Sequence, residues 1–265
     1  MTVAQVLGRA REEHRAALIG YLPVGFPDVA TSIVAMEAMV KAGVDIVEVG
    51  VPYSDPLMDG PLIQHAVDAA LHSGARPRDA ISAASAISVA GAPALLMSYW
   101  NPVDRYGVER FAAALATAGG AGLITPDLIP EEAADWLAAS DQYGLDRVFL
   151  VAPSSTDERL ALTAAACRGF VYAASTMGVT GVREQVGDAA KVLVERTRSV
   201  TDVPVCVGLG VSTPAQAAEV AEFADGVIVG SAFVRALRDG GVPGVADLAA
   251  GLAEGVRSAT GAVSR

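Results

Sequence analysis

Residues 44–61 read Val44-Asp45-Ile46-Val47-Glu48-Val49-Gly50-Val51-Pro52-Tyr53-Ser54-Asp55-Pro56-Leu57-Met58-Asp59-Gly60-Pro61. The first part is a short β-type run bounded by glycine, and strand alternation sends Ile46 and Glu48 to one face and Val47 and Val49 to the other. The second part, Gly50 to Pro61, is far longer than the roughly 2 to 6 residues of an ordinary strand-to-helix connection and carries three prolines and two further carboxylates, Asp55 and Asp59. An apolar strand ending in a glutamate, followed by a long proline-stiffened loop, is the pattern of a scaffold strand feeding an active face.

Working outward, seven more runs of the same type occur, at Ala17–Leu22, Ala94–Tyr99, Gly122–Thr125, Arg147–Val151, Phe170–Ala173, Val203–Val207 and Gly226–Val229, with Val44–Val49 as the second of the eight. Helical stretches with their own punctuation separate them. Asp28 precedes an apolar face of Val29, Ile33, Met36 and Val40 that stops at Gly43; Ser155 and Glu158 have capping-box spacing; Ser212-Thr213-Pro214 opens another helix. Eight strand–helix units without a polar linker predict an α/β fold, a single (β/α)8 TIM barrel over residues 1–265, rather than an open sheet. Residues 2–13 are expected to form an extra helix under the barrel, and residues 244–258 to close its outer ring.

Hydrophobic residues make up 52% of the 265-residue chain and charged residues 18%, the composition of a folded globular protein with a sizeable core. Thirty acidic against nineteen basic residues give a net charge of −11, which disfavours electrostatic binding to nucleic acid or an anionic membrane, so a phosphate would have to be held locally. The two cysteines, Cys167 and Cys206, read as lying in a helix and a buried strand and imply no disulfide framework. The N-terminus carries Arg9, Arg11, Glu12 and Glu13 without an apolar stretch of signal-peptide type, and a cytoplasmic location is expected. The uncharged segment 80–100 reads as a helix, a stop at Gly91-Ala92-Pro93 and a strand, not as a membrane span.

Glu48 is expected to point into the barrel near its C-terminal mouth, where an apolar setting makes an ionised carboxylate costly unless it is solvated, paired or used. A bland alternative is an interior glutamate satisfied by a neighbouring hydroxyl or water. On the other side of the mouth, Gly178-Val179-Thr180-Gly181, Gly208-Leu209-Gly210-Val211-Ser212 and Gly230-Ser231-Ala232 follow strands 6, 7 and 8. Glycine-rich strand ends in three consecutive units, the last opening a helix, suit a phosphate bound by backbone N–H groups. The only lysines, Lys41 and Lys191, fall in helical stretches, which argues against a Schiff-base aldolase. His14, His65 and His72 form no ligand cluster, so no metal is expected. Carboxylate acid–base chemistry on a small phosphate ester remains.

The run Glu48 to Gln64 closely resembles the signature of the tryptophan synthase alpha chain family. The resemblance continues in order through Pro23-Val24-Gly25-Phe26-Pro27, Tyr99-Trp100-Asn101-Pro102, Pro126-Asp127-Leu128-Ile129-Pro130 and the three glycine segments, covering residues 15–240. It implies retro-aldol cleavage of indole-3-glycerol phosphate to indole and glyceraldehyde 3-phosphate, with the indole ring as electron sink and no cofactor in this chain. Glu48 matches the family's acid–base glutamate and Asp59 the aspartate that accepts from the indole N–H. Gly181, Gly210, Gly230 and Ser231 match phosphate-binding positions, Tyr21, Ile63, Met97 and Tyr172 those around the indole, and Thr180 a residue that helps close its loop over Asp59. The resemblance further implies an α2β2 complex with a beta chain that carries pyridoxal phosphate. Pro52, Asp55, Pro56, Asn101 and Pro102 match positions facing that partner. Met58, Trp100 and Thr176 depart from the commonest family residues and bear on partner coupling and loop closure.

Three other readings compete. One is a stand-alone lyase that releases free indole. Another is a barrel that binds a phosphorylated indole but acts mainly as an allosteric partner, against which the presence of both carboxylates argues. The third, another phosphate-binding isomerase or aldolase, would need a base or lysine that the strand ends do not supply.

Overall fold

The computed structural model describes residues 1–174, 188–208 and 210–259. Its strands are β1 (Ala17–Pro23), β2 (Ile46–Gly50), β3 (Ala94–Met97), β4 (Gly122–Thr125), β5 (Asp146–Val151), β6 (Val171–Ala174), β7 (Val205–Gly208) and β8 (Gly226–Val229). Each pairs in parallel with its sequence neighbours, and β8 returns to β1, so the sheet closes on itself in the order β1 to β8. All eight expected strands are present, and the fold is a (β/α)8 barrel.

Alternation along the strands builds two cores. Ile19, Ile46, Leu95, Ile124, Val148, Phe170, Cys206 and Ile228 form one cluster fed from all around the sheet, together with Val3, Val6, Leu7 and Ala10 of the N-terminal helix. This is the barrel interior, plugged from below. The opposite parity, including Leu18, Val47, Val49, Leu96, Leu123 and Val207, packs outward against the helices. Two residues beyond the interior layer, the same inward parity reaches Tyr21, Glu48, Met97, Leu150 and Tyr172, so the upper layer of the barrel is where polar side chains begin.

The bottom is fastened by charge. The helix Val3–Glu12 is capped at Thr2 by a reciprocal pair with Gln5. Arg11 pairs with Asp225 at 3.3 Å, and Arg15 with Asp45 at 2.8 Å. Asp45 also accepts from Leu18 N–H at 2.8 Å, so one carboxylate ties the entry of β1 to that of β2.

Several boundaries differ from the sequence expectation. Val44, Phe170 and Val203 lie outside the strands they were expected to open: they are apolar and lengthen the run, but only residues further along make the ladder. The helix Asp157–Ala166 is capped by Thr156, whose hydroxyl accepts from Arg159 N–H, while Ser155 Oγ accepts from Ala152 N–H; the cap is one residue later than expected. Cys167 follows that helix instead of lying in it, and both cysteines are buried and free. The last helix begins at Ser231 and runs to Ser258 with a break at Gly241 (φ 61°); its part beyond the break carries buried Val245, Ala249, Leu252, Ala253 and Val256. Segment 80–100 divides into the helix Pro77–Ala90, a left-handed Gly91 and β3. No helix among the described residues is long and apolar enough to cross a membrane.

Candidate active site

Glu48 sits one residue pair below the rim of β2, registered against Tyr21 of β1 and Leu95 of β3. It is fully buried, and neither carboxyl oxygen has a hydrogen-bond partner among the described residues. Among the described residues no neighbouring hydroxyl satisfies it. Burial without compensation favours the neutral acid and pushes its pKa up to about 8. A buried, unpartnered and protonated carboxyl costs stability and is retained where a proton must be given away.

The loop after β2 folds back on itself to place the second carboxylate. Asp59 N–H donates to Pro56 O at 3.1 Å, Leu57 N–H to Asp55 O at 2.9 Å and Gln64 Nε2 to Pro56 O at 3.3 Å. Pro61 then starts the helix Pro61–His72 at a position where its missing N–H is harmless. Asp59 lines a pocket with Tyr21, Tyr53, Met97, Ser98, Tyr99 and Pro126. Its own pKa rises to about 6 through burial, opposed by a hydrogen bond from Tyr99. Near neutrality the two carboxyl groups are thus in opposite states, Glu48 protonated and Asp59 ionised.

Two glycines make room for two tyrosines. A Cβ on Gly50 would stand 2.5 Å from Tyr21 Oη, and one on Gly208 would stand 2.5 Å from Tyr172 Oη. Each ring leans across the end of the neighbouring strand toward the carboxylates; burial, with added repulsion from Glu48 and Asp59, raises both phenols well above their ordinary range. Tyr21 and Met97 border the Asp59 pocket, and Tyr172 lies on the far side near Glu48. Ile63, on the helix that follows the loop, is only 9% exposed and belongs to the core cluster that also holds Tyr21.

The opposite rim is backbone. Gly210 follows β7 with a positive φ of 76°, and Gly230 precedes the helix Ser231–Ser258, whose N-terminus has no side-chain cap. The β7 loop is pinned by Ser212, whose N–H and hydroxyl both donate to Gln216 Oε1 at 2.9 and 3.1 Å. Gly181 and Thr180 lie outside the described residues. Both lysines are on outer helices, Val29–Lys41 and Asp188–Arg198, away from the strand ends. Among the described residues no group of three or more His, Cys, Asp or Glu side chains could hold a metal ion.

Pro52, Asn101 and Pro102 border one surface groove with Tyr53 and Tyr106. Pro52 itself is buried, Asp55 and Asn101 are exposed, and Pro56 is half-buried. Leu57 is 89% exposed at the loop tip, an apolar side chain next to the expected partner-facing positions. Sequence reasoning assigned no role to Tyr99, Tyr53 or Asp127. Tyr99 has the inward parity of Met97 two residues on, the one signal that points it at the mouth.

The fold and the site together define a (β/α)8-barrel with two carboxyl groups of raised pKa at a mouth that also carries glycine-rich strand ends. The family described as Tryptophan synthase alpha chain matches residues 7–255. The tryptophan synthase alpha chain of Mycobacterium avium (strain 104) is 64% identical over 247 residues, covering 93% of this chain and 91% of that one. That of Thermobifida fusca (strain YX) is 61% identical over 261 residues, covering 96% and 97%. A structure of Mycobacterium tuberculosis tryptophan synthase superposes with a TM-score of 0.93 at 61% identity, covering 96% of this chain and 98% of the matched one. This chain belongs to the tryptophan synthase alpha chain family.

Proposed function

We propose that the chain cleaves indole-3-glycerol phosphate to indole and glyceraldehyde 3-phosphate, and that the indole passes to a beta chain within an α2β2 complex. The observation that carries this reading is Glu48, buried and without a hydrogen-bond partner among the described residues, at the same barrel mouth as Asp59.

The protonated Glu48 gives its proton to C3 of the indole, which leaves the positive charge on the ring nitrogen. Asp59 accepts from the ring N–H and stabilises that charge. The Glu48 carboxylate then takes the proton of the hydroxyl on the adjacent side-chain carbon. The C–C bond breaks toward the ring, the hydroxyl carbon becomes the aldehyde of glyceraldehyde 3-phosphate, and indole is restored with the proton back on Glu48. The ring is the electron sink, so this chain's part needs no cofactor; pyridoxal phosphate belongs to the beta chain's reaction. Gly210, Gly230 and Ser231, with Gly181, hold the phosphate by backbone N–H groups, while Tyr21, Ile63, Met97 and Tyr172 flank the indole. Pro52, Asp55, Pro56, Asn101 and Pro102, with exposed Leu57 beside them, form the side that meets the beta chain.

The test is indole release from indole-3-glycerol phosphate by the purified chain, with and without the beta chain of the same source. Glu48-dependent release that rises when the partner is added is the expected result. No indole in either condition overturns the reading, and a high rate indifferent to the partner supports a stand-alone lyase instead.

A further inference from the structure

Asp59 stands on a loop, with no strand to hold its carboxylate. Its hydrogen-bond partner among the described side chains is Tyr99, which follows β3. Tyr99 is itself held from several directions. Its hydroxyl oxygen accepts from Met58 N–H at 2.9 Å, directly beside Asp59 in the chain. Its ring packs on Tyr53 with centroids 5.2 Å apart. The next residue, Trp100, donates its N–H to Asp127 Oδ1 at 2.9 Å, which fixes the backbone where β3 gives way to the helix Trp100–Tyr106.

The direction of the hydroxyl follows. An oxygen that accepts from a backbone N–H has one proton left to give, and Asp59 is the acceptor in reach. Accepting the Met58 bond polarises the O–H and strengthens the bond it donates. We propose that Tyr99 is the positioning residue of the site: through one hydroxyl it clamps the β2 loop at Met58 and aims and ionises the Asp59 carboxylate, thereby joining the loop of Tyr53 to the helix that carries Asn101 and Pro102. This rests on the reading of Asp59 as the acceptor of the indole N–H. It adds that the two segments expected to face the partner meet at the side chain that governs Asp59, so a displacement of either one reaches the catalytic carboxylate directly.

The other groups that face Asp59 are Glu48 on β2, Tyr21 on β1 and Tyr172 on β6, with Asp127 behind Tyr99. All of them stay in place when the Tyr99 hydroxyl is removed, and Tyr21, which Tyr99 also repels, is the one whose surroundings change with it. The experiment is a carboxyl carbon NMR titration of the full chain labelled at aspartate, with the Asp59 signal assigned by Asp59→Asn. It compares the native chain, Tyr99→Phe and a chain with 3-fluorotyrosine at position 99.

Burial alone then acts on Asp59 in Tyr99→Phe, and its midpoint rises from about 6 by about 1. The fluorinated phenol is a stronger donor, stays protonated in this burial and lowers the midpoint. In the same proteins the acid limb of kcat/KM moves with the midpoint, and kcat falls about tenfold in Tyr99→Phe while KM stays within about twofold. A midpoint that is the same in all three chains, or that moves in one direction for both changes, overturns the proposal. The titration needs no substrate: a response of Asp59 in a chain that releases no indole would refute the reaction assigned above and leave the positioning role standing.

Discussion

The two halves of the barrel mouth solve opposite problems. The β1–β3 side presents side-chain atoms: Glu48 buried and without a hydrogen-bond partner among the described residues, Asp59 with one phenol, and Tyr21 leaning over Gly50. The β7–β8 side presents backbone: Gly208 leaves room for the Tyr172 ring, Gly210 has a positive φ and Gly230 precedes a helix. The first half is a reservoir of desolvated charge, the second an open frame of backbone dipoles. Deleting atoms should therefore damage the first half, and adding them the second.

The largest effect is expected from Glu48→Gln. It removes the transferable proton and keeps the shape, so kcat should fall by about 10³-fold or more, with the fold and ligand binding retained. Near-normal turnover by a folded variant would end the claim that the first half carries the chemistry. Asp59→Asn should cost about 10²-fold, because the neutral amide still fills the loop but no longer stabilises the ring charge.

On the glycine side, Gly208→Ala places a methyl group 2.5 Å from Tyr172 Oη, and the ring must move; kcat/KM should fall by about 10²-fold. Gly230→Ala is milder, since its Cβ meets Tyr21 Cδ1 at 3.3 Å, and should raise KM by several-fold through the phosphate side while leaving kcat near normal. If both alanine variants lowered kcat with KM unchanged, the division between the halves would fail.

The pH profile sharpens the contrast. The active pair is Glu48 protonated with Asp59 ionised, so kcat/KM should form a plateau between about 6 and about 8, falling on the acid side as Asp59 gains a proton and on the alkaline side as Glu48 loses one. Stability carries the same signature. Between 4.5 and about 8 the folded chain keeps a proton on Glu48 that the unfolded chain has released, so this residue's contribution to stability declines with rising pH, by at most ~1.4 kcal/mol for each pH unit. Denaturation at pH 5 and pH 8 should show Glu48→Gln gaining stability over the native chain as pH rises. The smallest effect belongs to the barrel's bottom. Arg11→Ala leaves Asp225 paired with Arg198 at 3.0 Å and should cost about 0.5 kcal/mol with no change in kcat.

Much of this was legible in the sequence because barrel strands are buried on both faces and stand out as apolar runs closed by glycine or proline. Glu48 was legible for the same reason: a single carboxylate in such a run has a direction fixed by strand alternation. What escaped depends on contacts between distant segments. Tyr99 donates to Asp59 across 40 residues of chain, and nothing in either segment announces the pair. The cap at Thr156 competes with Ser155 one residue earlier, and both hydroxyls find an N–H. Strand ends moved where apolar residues such as Val44 and Val203 continued the pattern beyond the ladder.

The most direct test of the central claim is the protonation state of Glu48 itself, followed by carboxyl carbon NMR in a glutamate-labelled chain and assigned with Glu48→Gln. A signal that stays in the acid form at pH 7 and titrates near 8 is the predicted result. Titration near the ordinary glutamate value of 4.5 would contradict it and remove the acid from the proposed mechanism.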